Sequence, residues 1–164
     1  MKNYRILAFL LALTMLLCLT ACGKEKKSDD PNHFELGDYA LDYKGACIMY
    51  DENGADALIM TFDFTNNSKE NASCGWVIST KYMQNGVEME SAYVVEDLST
   101  YSSIAEKYYG DVAPGVTLEV KNAHRLNDMG EVTVTISELW SQKSYTITVD
   151  PSTLERIENE YPGA

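Results

Sequence analysis

Hydrophobic and polar positions alternate along most of this chain. Tyr39, Leu41 and Tyr43 stand among Ala40, Asp42 and Lys44, while Leu58, Met60, Phe62 and Phe64 are separated by Ile59, Thr61 and Asp63. A period of two sends neighbouring side chains to opposite faces, so each run predicts a half-buried strand. The same reading holds for Trp76–Met83, with Trp76, Ile78, Thr80 and Tyr82 on one face, and for Val87–Val95. Val116, Leu118 and Val120, then Val132, Val134 and Ile136, then Tyr145, Ile147 and Val149 continue the pattern. Asn53-Gly54 and Asn85-Gly86 tolerate the positive φ of tight hairpins, and Ala113-Pro114-Gly115 marks a further turn. About seven strands with short connections predict an all-β, antiparallel sandwich. The end of the chain differs. Ser152 precedes Glu155 at capping-box spacing, and Leu154, Ile157 and Tyr161 recur at helical intervals. A short C-terminal helix or turn lying on the sandwich is expected there.

The N-terminus has another pattern altogether. Lys2 and Arg5 precede an apolar run from Ile6 that ends in Thr20-Ala21-Cys22-Gly23. A basic start, a short apolar stretch and small residues form a secretory signal peptide over residues 1–21. The run is shorter than the ~20 residues that span a bilayer. Leu19-Thr20-Ala21-Cys22 resembles the lipobox of bacterial lipoproteins, which implies that Cys22 is lipidated and becomes the new N-terminus. Lasting attachment needs two acyl chains, since one binds only marginally. Residues 22–33 carry mixed charge, Pro31 and no apolar period, so they are expected to form a flexible tether. The folded domain then occupies residues 34–164, with the mature protein held by lipid on the outer face of a bacterial cell membrane.

Composition narrows the partners. The 164 residues are 45% hydrophobic, enough for a core, with 13 basic against 25 acidic side chains. Losing Lys2 and Arg5 with the leader leaves 11 basic groups and a net charge of −14. Nucleic acid is thereby a poor partner, because phosphate binding needs clustered Lys and Arg.

Three segments carry a family resemblance: Phe62 to Ser68 ending in Thr-Asn-Asn-Ser, Gln84-Asn85-Gly86-Val87-Glu88, and Pro114-Gly115 leading into Val116–Val120. With Ala123-His124-Arg125-Leu126 they make the chain, from about Phe34 to Leu139, resemble small bacterial lipoproteins with an immunoglobulin-like domain of unknown function. The layout is also similar to secreted immunoprotective antigen sandwiches. At His124 an aromatic is commoner in that family. The resemblance implies an immunoglobulin-like sandwich at the cell surface and brings no catalytic residues with it.

Candidate chemistry is sparse. Cys47 and Cys74 remain after maturation, and two readings stand side by side: a disulfide, which the extracytoplasmic compartment permits, or two buried thiols acting as small hydrophobes. A bridge of that span would add roughly 3–4 kcal/mol. The histidines are His33, in the tether, and His124, on or beside a strand; neither belongs to a nucleophile motif. Glu88 and Glu90 share a strand face, as solvent-side acids ordinarily do. Asp51–Asp56 lacks the ligand spacing of a calcium loop, since its fifth position is Ala55. No metal, cofactor or enzymatic activity is expected. Trp76 and Trp140 are assigned to the core. What stands out is Tyr101-Ser102-Ser103 followed by Tyr108-Tyr109, because tyrosine offers rigid contact area and serine adaptable hydrogen bonding, the composition of binding loops. The sequence therefore predicts a non-catalytic binding or recognition module whose ligand is a protein, peptide or envelope component. Its alternative is an envelope-maintenance or protective lipoprotein without a pocket.

Overall fold

The computed structural model of the chain describes residues 30–97 and 99–159. The leader, Cys22, most of the tether and Tyr161 lie outside the described residues. The chain runs through β1 (His33–Leu36), β2 (Tyr39–Tyr50), β3 (Asp56–Asn66), β4 (Ala72–Ser73), one helical turn α1 (Cys74–Val77), β5 (Ile78–Gln84) and β6 (Val87–Glu88). It continues through β7 (Val95–Asp97), β8 (Ser102–Ser103), β9 (Asp111–Val112), β10 (Thr117–Arg125), β11 (Val132–Glu138) and β12 (Ser144–Val149), ending in a 3-10 turn at Pro151–Thr153. Two four-stranded antiparallel sheets, in the orders β1-β2-β3-β10 and β12-β11-β5-β6, enclose the main core. Leu58, Met60, Phe62 and Phe64 of β3 meet Ile78 and Tyr82 of β5 and Val132, Val134 and Ile136 of β11 there. The all-β sandwich read from the alternation is the fold observed.

Strand β2 serves two cores. Its register with β3 shifts between Tyr43 and Gly45, a bulge in which Gly45 takes φ 142°. Before the bulge Tyr39, Leu41 and Tyr43 face the second sheet; after it Ala46 and Ile48 do. Cys47 and Met49 consequently turn outward, against a second cluster of Ala57, Ile59, Ala123, Val94 and Ile104. Cys74 sits in the main core. The two thiols are thus on opposite faces of the first sheet, and both are free. Cys74 is buried and Cys47 half-buried.

Turn chemistry behaves as the residues dictate. Gln84 pairs with Val87 across Asn85 (φ 54°) and Gly86 (φ 78°), the conformation a two-residue hairpin needs. The segment around Asn66 is held by that side chain, which is fully buried: Nδ2 donates to the carbonyls of Glu70 and Val112, both at 2.8 Å, and Oδ1 accepts from the amide and hydroxyl of Ser68. The Thr-Asn-Asn-Ser signature is therefore structural. Asn66→Ala leaves buried carbonyls without donors and should cost about 2 kcal/mol in urea unfolding. A loss below half of that would contradict this role.

Several expectations are corrected. His33 is part of β1, pairing with Asp42, so the tether ends before it. Its ring bonds Asp42 Oδ1 at 2.6 Å and Glu35 Oε1 at 2.8 Å. The strand expected over Val87–Val95 stops at Glu88. Trp76 is 72% exposed and Trp140 98% exposed, so neither is a core residue. Trp76 lies in α1, where a helical turn breaks the strand parity and buries Cys74 instead. At the C-terminus Asp150, not Ser152, caps the 3-10 turn, accepting from the Ser152 amide at 3.0 Å. That 3-10 turn is the short C-terminal helix or turn expected, and the residues after it run beside β2: the Ile48 amide donates to Glu155 and the Ile157 amide to Ile48. Arg156 fixes this tail with two bonds to Asp56, at 2.6 and 2.7 Å.

Candidate functional site

The site arises where the chain changes sheets. The Met89 amide donates to Tyr82 O at 3.0 Å, continuing the β5–β6 ladder. Two residues later the chain has crossed to the other sheet, with the Ala92 amide donating to Ala123 O (2.9 Å) and the Arg125 amide to Glu90 O (2.9 Å). It then folds over the outer face of the first sheet, where Val94 and Ile104 bury themselves and β7 pairs with β8. The return arm docks on α1: the Gly75 amide donates to Tyr108 O at 2.8 Å, and Ser73 Oγ to the same carbonyl at 3.2 Å. Between the outgoing arm, the return arm and strands β5 and β10 lies a cleft of about 1140 Å³.

Its floor is a polar chain set into the core. Tyr82 Oη donates to Asn122 Oδ1 at 2.7 Å, Asn122 Nδ2 donates to Thr80 Oγ1 at 3.4 Å, and Thr80 Oγ1 meets Tyr108 Oη at 3.2 Å. Burial pushes the Tyr82 and Tyr108 phenols well up, so both stay protonated. The Cys74 thiol nearby is pushed up to about 12 by burial, which makes it unreactive. His124 stacks on Tyr82 with centroids 3.8 Å apart. Desolvation lowers its pKa to about 4, against the opposing pull of the Met89 backbone and Glu88. Its Nδ1 is buried and has no hydrogen-bond partner among the described residues. The imidazole is thus neutral across physiological pH.

The rim is aromatic. Tyr101, 63% exposed, is held at φ 52° in the left-handed region, and Tyr93 Oη donates to its carbonyl at 2.8 Å. A bulky residue in that conformation is uncommon and marks a locally imposed geometry. Tyr109, 58% exposed, lies against Gly75, where a Cβ would fall 2.6 Å from its ring, and meets Trp76 edge-on. Leu139 lines the same opening.

All five residues of the expected binding loop, Tyr101, Ser102, Ser103, Tyr108 and Tyr109, line this one cleft. Tyr108 does so from a buried position, as part of the core, and is corrected from a contact residue to a supporting one. The alternation argument places Trp76 in the core and gives Asn122 and His124 no part in the site. A signal for the last two exists: they fall on the inward parity of β10 set by Leu118 and Val120, where an apolar residue is expected. Among the described residues no group of three or more His, Cys, Asp or Glu gathers to hold a metal ion, and no helix is long and apolar enough to cross a membrane.

The fold is shared with solved structures of low sequence identity. A candidate lipoprotein from Staphylococcus aureus superposes with a TM-score of 0.59 at 11% identity, covering 78% of this chain and 98% of that one. A candidate lipoprotein from Bacillus subtilis, ycdA, matches with a TM-score of 0.53 at 12% identity, over 76% of this chain and 40% of that longer one. A protein from Enterococcus faecalis gives 0.53 at 14% identity, over 73% and 91% of the two chains. At such identities the likeness speaks for the fold alone. No curated protein sequence matches. Residues 22–138 match the model of a domain of unknown function, DUF5067, and the chain belongs to that family.

Proposed function

We propose that this chain is a lipid-anchored protein on the outer face of a bacterial cell membrane that binds a ligand in the cleft and performs no chemistry on it. The lipobox-like Leu19-Thr20-Ala21-Cys22 supports the anchor, and the candidate lipoproteins of similar fold are consistent with it. One observation carries the binding role: the Tyr-Ser segment shares a single opening with residues of β5 and β10 far from it in sequence, and the exposed Trp76 stands edge-on to Tyr109 at its rim. Exposed Trp and Tyr beside a recess are the composition of interaction hot spots. A general base needs a pKa near the working pH, whereas His124 is held at about 4 and is occupied by its stack on Tyr82. Glu106 is the one carboxylate among the residues lining the cleft.

Two measurements test this reading. Palmitate labelling should be lost, and the protein released into the medium, in Cys22→Ser; a variant that stays labelled and cell-bound would overturn the anchor. Immobilised wild type should retain material from envelope extracts at least tenfold above a Trp76→Ala, Tyr101→Ala, Tyr109→Ala variant of matched thermal midpoint. Equal retention would remove the cleft from consideration.

A further inference from the structure

The cleft occupies the place of a missing strand. Gln84 and Tyr82 direct their main-chain groups toward β6, as the Gln84–Val87 pair and the Met89-to-Tyr82 bond establish. Main-chain groups alternate sides along a strand, so those of Thr80 and Ile78 point the same way. The ladder that would receive them ends at Met89, because the chain leaves for β10. The Ile78 amide is used by Cys74 O, which leaves the amide and carbonyl of Thr80 and the carbonyl of Ile78 directed at the cleft.

Two other sheet edges are managed. The tail at Glu155 to Asn159 covers β2, and the ion pairs Lys121–Glu96 and Lys121–Glu119 stand on β10. Proteins guard open edges in these ways because an unguarded one templates pairing with another chain. Ile78, Ser79 and Thr80 carry no charge, and they are recessed in a cleft instead of covered. The surrounding chain is strongly acidic, yet the lining holds one carboxylate, so an uncharged backbone enters without burying an unpaired charge.

Resting on the reading of the cleft as a ligand site, we propose that its ligand is an uncharged extended peptide segment that adds as a strand to the free edge of β5 at Ile78–Thr80. Main-chain bonds to Thr80 and Ile78 supply the affinity, and alternate side chains of the peptide meet the hydroxyl-lined floor and the aromatic rim. The four residues from Ile78 to Lys81 give an edge of about 13 Å, room for a peptide strand of four or five residues.

The test uses the chain from residue 23 onward, which keeps every residue of the fold described. A phage-displayed library of uncharged nonapeptides is panned against it, and the best binder is synthesised with single N-methyl groups at each position. N-methylation removes one amide donor without touching the protein. Binding should weaken at least tenfold at alternate positions and change less than threefold at those between, and the Thr80 amide should shift in ¹⁵N spectra on titration. Binding insensitive to N-methylation at every position, or no binder, would overturn the proposal. Chitotetraose serves as the contrasting probe. If it alone binds, shifts tryptophan fluorescence and loses affinity in the Trp76→Ala, Tyr109→Ala variant, strand addition is overturned while the cleft remains a binding site.

Discussion

Arg125→Met is expected to lower the unfolding free energy by about 3 kcal/mol, the low end of what breaking a buried ion pair costs. Asp51 is fully buried at the end of β2, and its Oδ2 accepts from Arg125 Nε at 2.8 Å and Nη2 at 2.6 Å. Its Oδ1 accepts from the amides of Asn53 and Ala55, both at 2.9 Å, closing the β2–β3 turn. Removing the guanidinium leaves a buried carboxylate with two amides and no countercharge. Arg125 is itself partly exposed, which moderates the loss. The pH dependence gives an independent check. Burial pushes the Asp51 carboxyl up, but the amide bonds and Arg125 outweigh it and hold it below the ordinary range. A carboxyl depressed in the folded state contributes stability above its ordinary pKa, lost as pH falls through the folded value. That acid limb should therefore be shallower in Arg125→Met than in wild type. Urea unfolding across pH measures both effects. A loss under 1 kcal/mol with an unchanged acid limb would mean the pair does not pin the turn.

The second large effect concerns His124. The folded state holds it neutral down to about pH 4, whereas the unfolded chain protonates it near its ordinary 6.5. Between those values the unfolded state binds the extra proton, so stability falls as the pH drops through this window, by roughly 3 kcal/mol in all. His33 works on the other side. Its hydrogen bonds to the Glu35 and Asp42 carboxylates raise its pKa, so its contribution is complete below 6.5 and fades as pH rises through the folded value. Wild-type stability should thus peak near pH 6.5. His124→Phe keeps a ring on Tyr82, removes the orphaned Nδ1 and should flatten the limb between pH 6.5 and 4. If the variant retains the full slope, the imidazole is not the group responsible.

Period-two alternation made the sandwich legible because the long strands send alternate side chains into the main core. Phe62 and Phe64 on β3 and Val132, Val134 and Ile136 on β11 could only point at a common core. What escaped were departures from that period. Nothing in Tyr43-Lys44-Gly45 announces a register shift, and α1 interrupts an alternation that Trp76 continues in sequence alone. The C-terminal spacing of Leu154 and Ile157 fits a helix, but backbone bonds to Ile48 and the Arg156–Asp56 pair hold the segment extended. The Tyr-Ser composition pointed to the right stretch for the cleft. Its far wall on β5 and β10 came from pairing across sheets, which local spacing does not contain.

The bulge in β2 has a consequence for how insertions and deletions would be tolerated. Lys44 is the extra residue between the Tyr43–Phe62 and Gly45–Thr61 pairs, so removing it would regularise the ladder and leave Ala46 and Ile48 facing inward. A one-residue insertion between Gly45 and Tyr50 would instead slip the register, driving Cys47 and Met49 between the sheets and expelling Ala46 and Ile48 beneath the overlying hairpin. A single extra residue lets one continuous strand act as the partition between two separate greasy compartments.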